Sequence, residues 1–232
     1  MTDRPDSAAA QRRIRSFVRR EGRMTDAQRA ALETLWPRYG IDPDSGPLDF
    51  TAWFGRNAPV HLEIGFGMGQ SLAHMAAENS AANYLGIEVY RPGVGHLLRE
   101  LKERAIDNVR VICADAVEVL ERNILPDSLA AVYLFFPDPW PKKRHHKRRI
   151  VQPEWVRLVH SRLARGGRLH MATDWEDYAE QMRAVMAAAQ GFHNLGDADG
   201  YAQRPDYRPE TKFERRGLRL GHGVWDLIYA KA

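Results

Sequence analysis

A chain of 232 residues, 44% of them hydrophobic, is long enough for one α/β domain with a sizeable core and an N-terminal extension, and too short for two such domains. No apolar run approaches a membrane span, and residues 1–10 are polar where a signal peptide needs an apolar core, so the expected compartment is the cytoplasm. The single Cys113 excludes an internal disulfide and a Cys-based zinc site, and a net charge of only +4 leaves the clustering of Arg and Lys, rather than their total, to argue for a polyanionic partner.

Residues 1–24 read as a basic, flexible arm carrying Arg12, Arg13, Arg15, Arg19, Arg20 and Arg23 among few apolar side chains. Residues 25–58 read as a helical extension. Thr25 is placed to cap a helix with Ala31, Leu32, Leu35 and Trp36 on one face, Pro37 is expected to stop it, and Leu48 to Phe54 adds a short helix; both would brace or cover the main domain.

From residue 59 to 232 the rhythm is strand, loop, helix, repeated. Strands are expected at Val60 to Ile64, Tyr84 to Ile87, Val109 to Cys113, Ala131 to Phe136 and Arg168 to Ala172, with a final one at Gly223 to Ala230. Helices fall near Ala73 to Glu78, Gly95 to Arg104, Val117 to Arg122, Pro153 to Leu163 and Asp177 to Ala189. This alternation predicts a doubly wound parallel sheet with helices on both faces.

In such a sheet, ligands bind at the carboxyl ends of the strands. The first strand ends in Glu63-Ile64-Gly65-Phe66-Gly67-Met68-Gly69. Gly65, Gly67 and Gly69 let the backbone turn tightly and approach a ligand, but the spacing is G-x-G-x-G, not the dinucleotide G-x-G-x-x-G. A carboxylate just ahead of it suits a cationic ligand end better than a pyrophosphate. Glu88 closes the second strand where such folds place an acid on ribose hydroxyls. Asp115 follows the third, placed to accept from an adenine amino group, to cap the next helix, or both. Asp138 follows the fourth, so one acid stands after each of four successive strands.

The most informative stretch is Ala130 to Arg149, AAVYLFFPDPWPKKRHHKRR. A buried-strand pattern turns sharply at Pro137-Asp138-Pro139-Trp140 and ends in six Lys/Arg and two His within eight residues. An acid at a site mouth beside a basic patch suggests chemistry on a nucleic acid. Trp140 either stacks on a base or fills the core, and His145 and His146 lack a second ligand cluster of metal spacing, so no metal is expected.

Together EIGFGMG, GIE, CAD, FPDPWPKKRHHKRR, ATDW at 172–175 and TKFE at 211–214 resemble the bacterial tRNA (guanine-N7)-methyltransferases, over roughly residues 55–232. The resemblance implies a seven-stranded, Rossmann-like class I methyltransferase sheet whose last strand is antiparallel, and transfer of a methyl group from S-adenosylmethionine to N7 of guanine 46 in the tRNA variable loop, leaving S-adenosylhomocysteine. It implies that Glu63, Glu88, Asp115 and Asp138 hold the cofactor, with Asp138 also the active residue. It places Lys142, Asp174, Thr211, Lys212, Phe213 and Glu214 on the substrate guanosine, and Arg144, His145, His146, Lys147, Arg148 and Arg149 on the RNA. Whether the protein is a monomer or a homodimer stays open.

The chemistry sharpens one of these roles. N7 of guanine carries a free lone pair at neutral pH, so attack on a sulfonium methyl removes no proton and a general base would be idle. Asp138 is therefore expected to position the reactants and to support the positive charge appearing on the imidazole ring. Glu214 or Asp174 is expected to accept from N1–H and the exocyclic amine, a donor pair adenine does not offer. Two rival readings are an amino-methyltransferase, whose D-P-P-[YFW] motif Asp138-Pro139-Trp140 echoes without the second Pro, and a catalytically silent RNA-binding module of the same fold.

Overall fold

The computed structural model describes residues 16–17, 22–210, 214 and 223–232. Arg12, Arg13, Arg15, Arg19 and Arg20 of the expected arm, and Thr211, Lys212 and Phe213 of the expected substrate segment, lie outside the described residues.

Among the described residues, eight strands form one sheet: β1 (Gly40–Ile41), β2 (Val60–Ile64), β3 (Asn83–Ile87), β4 (Val109–Ile112), β5 (Leu129–Phe135), β6 (Leu163–Thr173), β7 (Phe192–Asn194) and β8 (Trp225–Lys231). Their order is β1-β4-β3-β2-β5-β6-β8-β7. The pairs from β1 to β6 are parallel, and β8 runs antiparallel to both β6 and β7. The chain winds outward in both directions from β2, so the carboxyl ends of β2 and β5 flank the topological switch point. The six strands read along the chain become eight among the described residues, one more than the seven the resemblance implies, because short edge strands β1 and β7 are added. With two and three residues, both are too brief to announce themselves by periodicity.

Among the described residues, seven α-helices cover the sheet: α1 (Asp26–Tyr39), α2 (Phe50–Phe54), α3 (Gln70–Glu78), α4 (Arg91–Glu103), α5 (Ala116–Arg122), α6 (Pro153–Arg162) and α7 (Glu176–Ala187). One face of the sheet buries Val117, Trp155 and Met182 from α5, α6 and α7. The other buries Leu32, Leu72 and Leu97 from α1, α3 and α4. Gly86 in the fully buried β3 is what permits that second layer to close, since a Cβ there would stand 2.5 Å from Leu72 and 2.8 Å from Phe66.

The first helix begins as its sequence predicts. The Thr25 hydroxyl accepts from the Gln28 N–H while the Gln28 side chain accepts from the Thr25 N–H, so two otherwise unpaired donors are satisfied. Pro37 does not stop it. The helix runs on to Tyr39, because a proline this close to the end forfeits little of the remaining ladder and the buried Tyr39 ring, fully enclosed, rewards the last turn. The helix lies on α4, close enough that a Cβ at Gly95 would meet the Gln28 carbonyl at 2.6 Å.

Candidate active site

Four loops meet at the carboxyl edge of the sheet. The first is the glycine turn after β2, in which Gly65, Gly67 and Gly69 all have left-handed φ (72°, 59° and 83°), a region that costs a residue with a Cβ. Glu88, at the end of β3, ties this turn down. Its Oε2 accepts from the Gly67 N–H at 2.8 Å, and its Oε1 accepts from the N–H groups of Val89 (2.6 Å) and Tyr90 (2.9 Å). A buried carboxylate that satisfies three backbone donors holds two loops in one arrangement.

Glu63 is sealed beneath the glycine turn. Its Oε1 accepts from the Ser71 hydroxyl at the start of α3, while its Oε2 has no hydrogen-bond partner. Burial pushes this carboxyl up to about 7, against the opposing effect of the Ser71 hydrogen bond. A buried, half-satisfied carboxylate of this kind suits an ammonium or other cationic group, whose approach would complete its bonding and restore its charge.

Asp115 stands at the amino end of α5, where its Oδ1 accepts from the Val117 N–H at 2.9 Å. The helix cap is therefore real. Its half-buried side chain also reaches the cavity that Gly65, Glu88 and Asp138 line. Glu63, Gly67 and Gly69 stand outside this lining, Gly67 being tied to it through its bond to Glu88. Ser16 and Phe17 border the same cavity, an approach of the N-terminal segment that its sequence did not announce.

The fourth loop follows β5. Phe136 leaves the strand with φ 52°, its N–H still bonded to the Ala172 carbonyl at 2.8 Å, and Pro137 then delivers Asp138 to the exposed edge of the cavity. Asp174 follows β6 one strand over, half-buried, so the two acids leave adjacent strands.

Beyond Asp138 the basic run folds into a 3₁₀ turn over Lys143–Arg148. Lys142, Lys143, Arg144 and Lys147 are exposed, and His145, His146 and Arg148 half-buried. Partial burial, and then the charges of Arg144 and Arg148, hold the His145 imidazole below its ordinary pKa. Trp140, with φ 45°, neither fills the core nor stands free. Its indole N–H donates to the Ser16 carbonyl at 3.0 Å, and the Arg148 guanidinium covers its ring at 4.7 Å.

Arg149 corrects the reading of the basic run as a uniform RNA surface. It is 2% exposed, and its guanidinium donates to the Pro139 carbonyl (2.7 Å), to Gln181 Oε1 (2.6 Å) and to Asp177. The Tyr178 ring lies beneath it at 4.8 Å. A cation spent in this way is unavailable to a phosphate. Composition hides the distinction, because the seven residues before Arg149 are of the same chemical kind.

Glu214 is likewise buried, and both its oxygens accept from Arg208 (2.7 and 2.9 Å). Arg208, Asp226, His170 and Tyr207, which form one network with it, are absent from the set of residues that motifs single out. A signal was there: His170 falls between Leu169 and Met171 and Asp226 between Trp225 and Leu227, polar residues set among apolar neighbours within their strands, and a buried acid calls for a partner.

The profile of a family described as "Putative methyltransferase" matches residues 57–227. Proteins named tRNA (guanine-N(7)-)-methyltransferase are 59% identical in Alcanivorax borkumensis over 227 residues, covering 98% of this chain and 95% of that one. The identity is 60% in Aeromonas hydrophila over 220 residues (95% and 93%) and 55% in Hydrogenovibrio crunogenus over 235 residues (99% and 98%). Among solved structures, the 16S rRNA methyltransferase KamB matches with a TM-score of 0.54 at 16% identity, over 92% of this chain and 97% of that one, which is a likeness of fold.

Proposed function

Because the chain belongs to the tRNA (guanine-N7)-methyltransferase family and its reaction is methyl transfer to N7 of guanine in tRNA, we propose that the donor is S-adenosylmethionine, the target is guanine 46 of the variable loop, and Asp138 is the residue at the reacting atoms. The observation that carries this is the convergence of Gly65, Glu88, Asp115 and Asp138 on one cavity at the switch point, with the basic 3₁₀ turn directly beyond Asp138.

The residues present fit the cofactor. The unpartnered Oε2 of Glu63, behind the cavity lining, offers negative charge toward its ammonium, Gly65, where nothing lies within 4 Å of an added Cβ, leaves room for its amino-acid end, Glu88 closes the ribose side and Asp115 the adenine side. When bound, S-adenosylmethionine supplies an electrophilic methyl group on a sulfonium and departs as S-adenosylhomocysteine. The protein's own work is then largely positional. N7 attacks with its own lone pair, so no side chain takes a proton, and the positive charge passes to the purine ring. Asp138, held between Pro137 and Pro139, stabilises that charge as it appears.

On the substrate side, Arg144, Lys147 and Arg148 meet phosphates, with His145 and His146 beside them. Lys142, Asp174 and Glu214, with Thr211, Lys212 and Phe213, take the guanosine. Domain roles follow the same division: residues 59–232 carry the chemistry, 25–58 brace it, and the arm of 1–24 adds charge. Nucleoside analysis of unmodified tRNA incubated with the protein and S-adenosylmethionine tests the proposal. It should find 7-methylguanosine at position 46, and amino-methylated guanine or adenine, or no product, would overturn it.

A further inference from the structure

Arg208 lies between β7 and β8, its side chain 1% exposed, and no step of the proposed reaction uses it. Nε and Nη2 donate to the two oxygens of Asp226 at 2.7 and 2.8 Å, while Nη1 and Nη2 donate to those of Glu214 at 2.7 and 2.9 Å. The Phe136 ring stands 5.5 Å from the guanidinium carbon. Asp226 is itself fixed from behind by His170, 2.7 Å from its Oδ1, and His170 by the Tyr207 hydroxyl at 2.9 Å.

The location matters more than the number of bonds. Asp226 pairs in register with Ala172, the residue whose carbonyl accepts from the Phe136 N–H, so the clamp sits where β5 and β6 release Asp138 and Asp174. Burial works against the charge on Arg208, but its bonds to Glu214 and Asp226 outweigh that and hold its pKa above the ordinary value. Stability alone is a poor account of such a cluster, because buried ion pairs are often replaceable by apolar side chains at no loss of stability. What a guanidinium fork gives that apolar packing does not is a fixed direction for each carboxylate.

We propose that Arg208 is a positioning residue for methyl transfer: anchored on Asp226, it sets where Glu214 stands relative to the Phe136 turn that leads into Asp138. The inference rests on the methyltransferase reading of the site. It says that substrate-side and cation-stabilising parts of the site are registered to each other through one buried side chain, which itself touches neither substrate nor cofactor.

Arg208→Lys keeps the charge and loses the fork, and Glu214→Gln keeps the shape of the partner and loses its charge. Single-turnover methylation of tRNA at saturating substrate, KM for tRNA and calorimetric affinity for S-adenosylhomocysteine separate positioning from mere structure. Arg208→Lys should lose about 10²-fold in rate, the scale of a small misplacement at a reacting centre, with KM and cofactor affinity within about twofold of wild type. Glu214→Gln should lose at least about tenfold in rate, and adding Arg208→Lys to it should cost less than Arg208→Lys costs alone, as residues acting through one network do.

An unchanged rate in Arg208→Lys, multiplicative losses in the double variant, or cofactor affinity falling in step with rate would overturn the proposal. Should Arg208→Lys not fold, Glu214→Gln decides alone, and full activity there would overturn it. Wild-type protein that leaves tRNA unmethylated would overturn the reading of the reaction, and this proposal with it; wild-type activity beside an unaffected Arg208→Lys enzyme would overturn only this one.

Discussion

The Nε of Arg149 donates to the carbonyl of Pro139 at 2.7 Å, so the end of the basic run is fastened back to the residue that follows Asp138. Two adjacent arginines thereby acquire different jobs. Arg148 lies on the half-buried outer side of the turn, against Trp140, while Arg149 holds the turn's shape from inside.

Arg148→Ala should weaken tRNA binding across sequences and lower the salt slope by about 0.7 to 0.9 for each phosphate it no longer neutralises, with cofactor affinity unchanged. Arg149→Ala should instead lower stability by roughly 1 to 2 kcal/mol, since it strands the half-buried Pro139 carbonyl and Gln181 amide oxygen while its ionic partner Asp177 stays 60% exposed and is screened by water. Titrations of tRNA at several salt concentrations, beside urea unfolding, distinguish the two. Identical behaviour of both variants would refute the division.

Asp138→Asn keeps the side-chain shape and removes the charge. The chemical step in single-turnover assays should slow by roughly 10² to 10³-fold, about 3 to 4 kcal/mol, while cofactor affinity falls less. At saturating cofactor, the wild-type pH profile of this step should show no rising carboxylate limb near neutrality, because no proton is removed from N7. A limb abolished by the mutation would make Asp138 a base instead.

With the Glu63 carboxyl held at about 7, cofactor binding at the proposed site should be a proton-linked event. Below that pH the group is largely protonated and neutral, and an ammonium entering beside it must displace the proton. Affinity for S-adenosylhomocysteine should therefore rise with pH, by up to about tenfold per unit below 7, and level off above it. The linkage to folding has the opposite sign. A carboxyl whose folded pKa lies above its unfolded value favours the folded state at low pH, and that contribution is lost as pH rises toward 7. Calorimetry from pH 5.5 to 8.5 on wild type and Glu63→Gln checks both, the variant being expected to lose the pH dependence.

Gly93 opens α4 directly behind the glycine turn, and a Cβ there would fall 2.0 Å from the Gly67 carbonyl oxygen. Gly93→Ala must push that backbone aside, so cofactor affinity should drop by at least about tenfold. Gly46→Ala is the control. Its φ of 74° makes alanine cost about 1 kcal/mol of stability, but no atom lies within 4 Å of the added Cβ and the cavity is elsewhere, so affinity should hold.

Hydrophobic period and glycine placement determined the parallel sheet and the place of Glu88, Asp115 and Asp138 at its carboxyl edge, because each follows a strand in sequence and local order carries it there; Glu63 lies within β2 and is buried outside the cavity lining. Thr25 with Gln28 determined where α1 starts, since both partners of a cap lie within one turn. Only the tertiary structure decided which arginine of the basic run is buried, that Glu214 is clamped by Arg208, and that Glu88 spends three acceptor sites on backbone. It alone set the short edge strands β1 and β7 in place. Each of these depends on a partner brought from elsewhere in the chain: Asp177 and Gln181 for Arg149, Asp226 for Arg208, the Gly67 N–H for Glu88. Burial and charge pairing are properties of what the fold brings together, and a residue's sequence neighbours do not specify them.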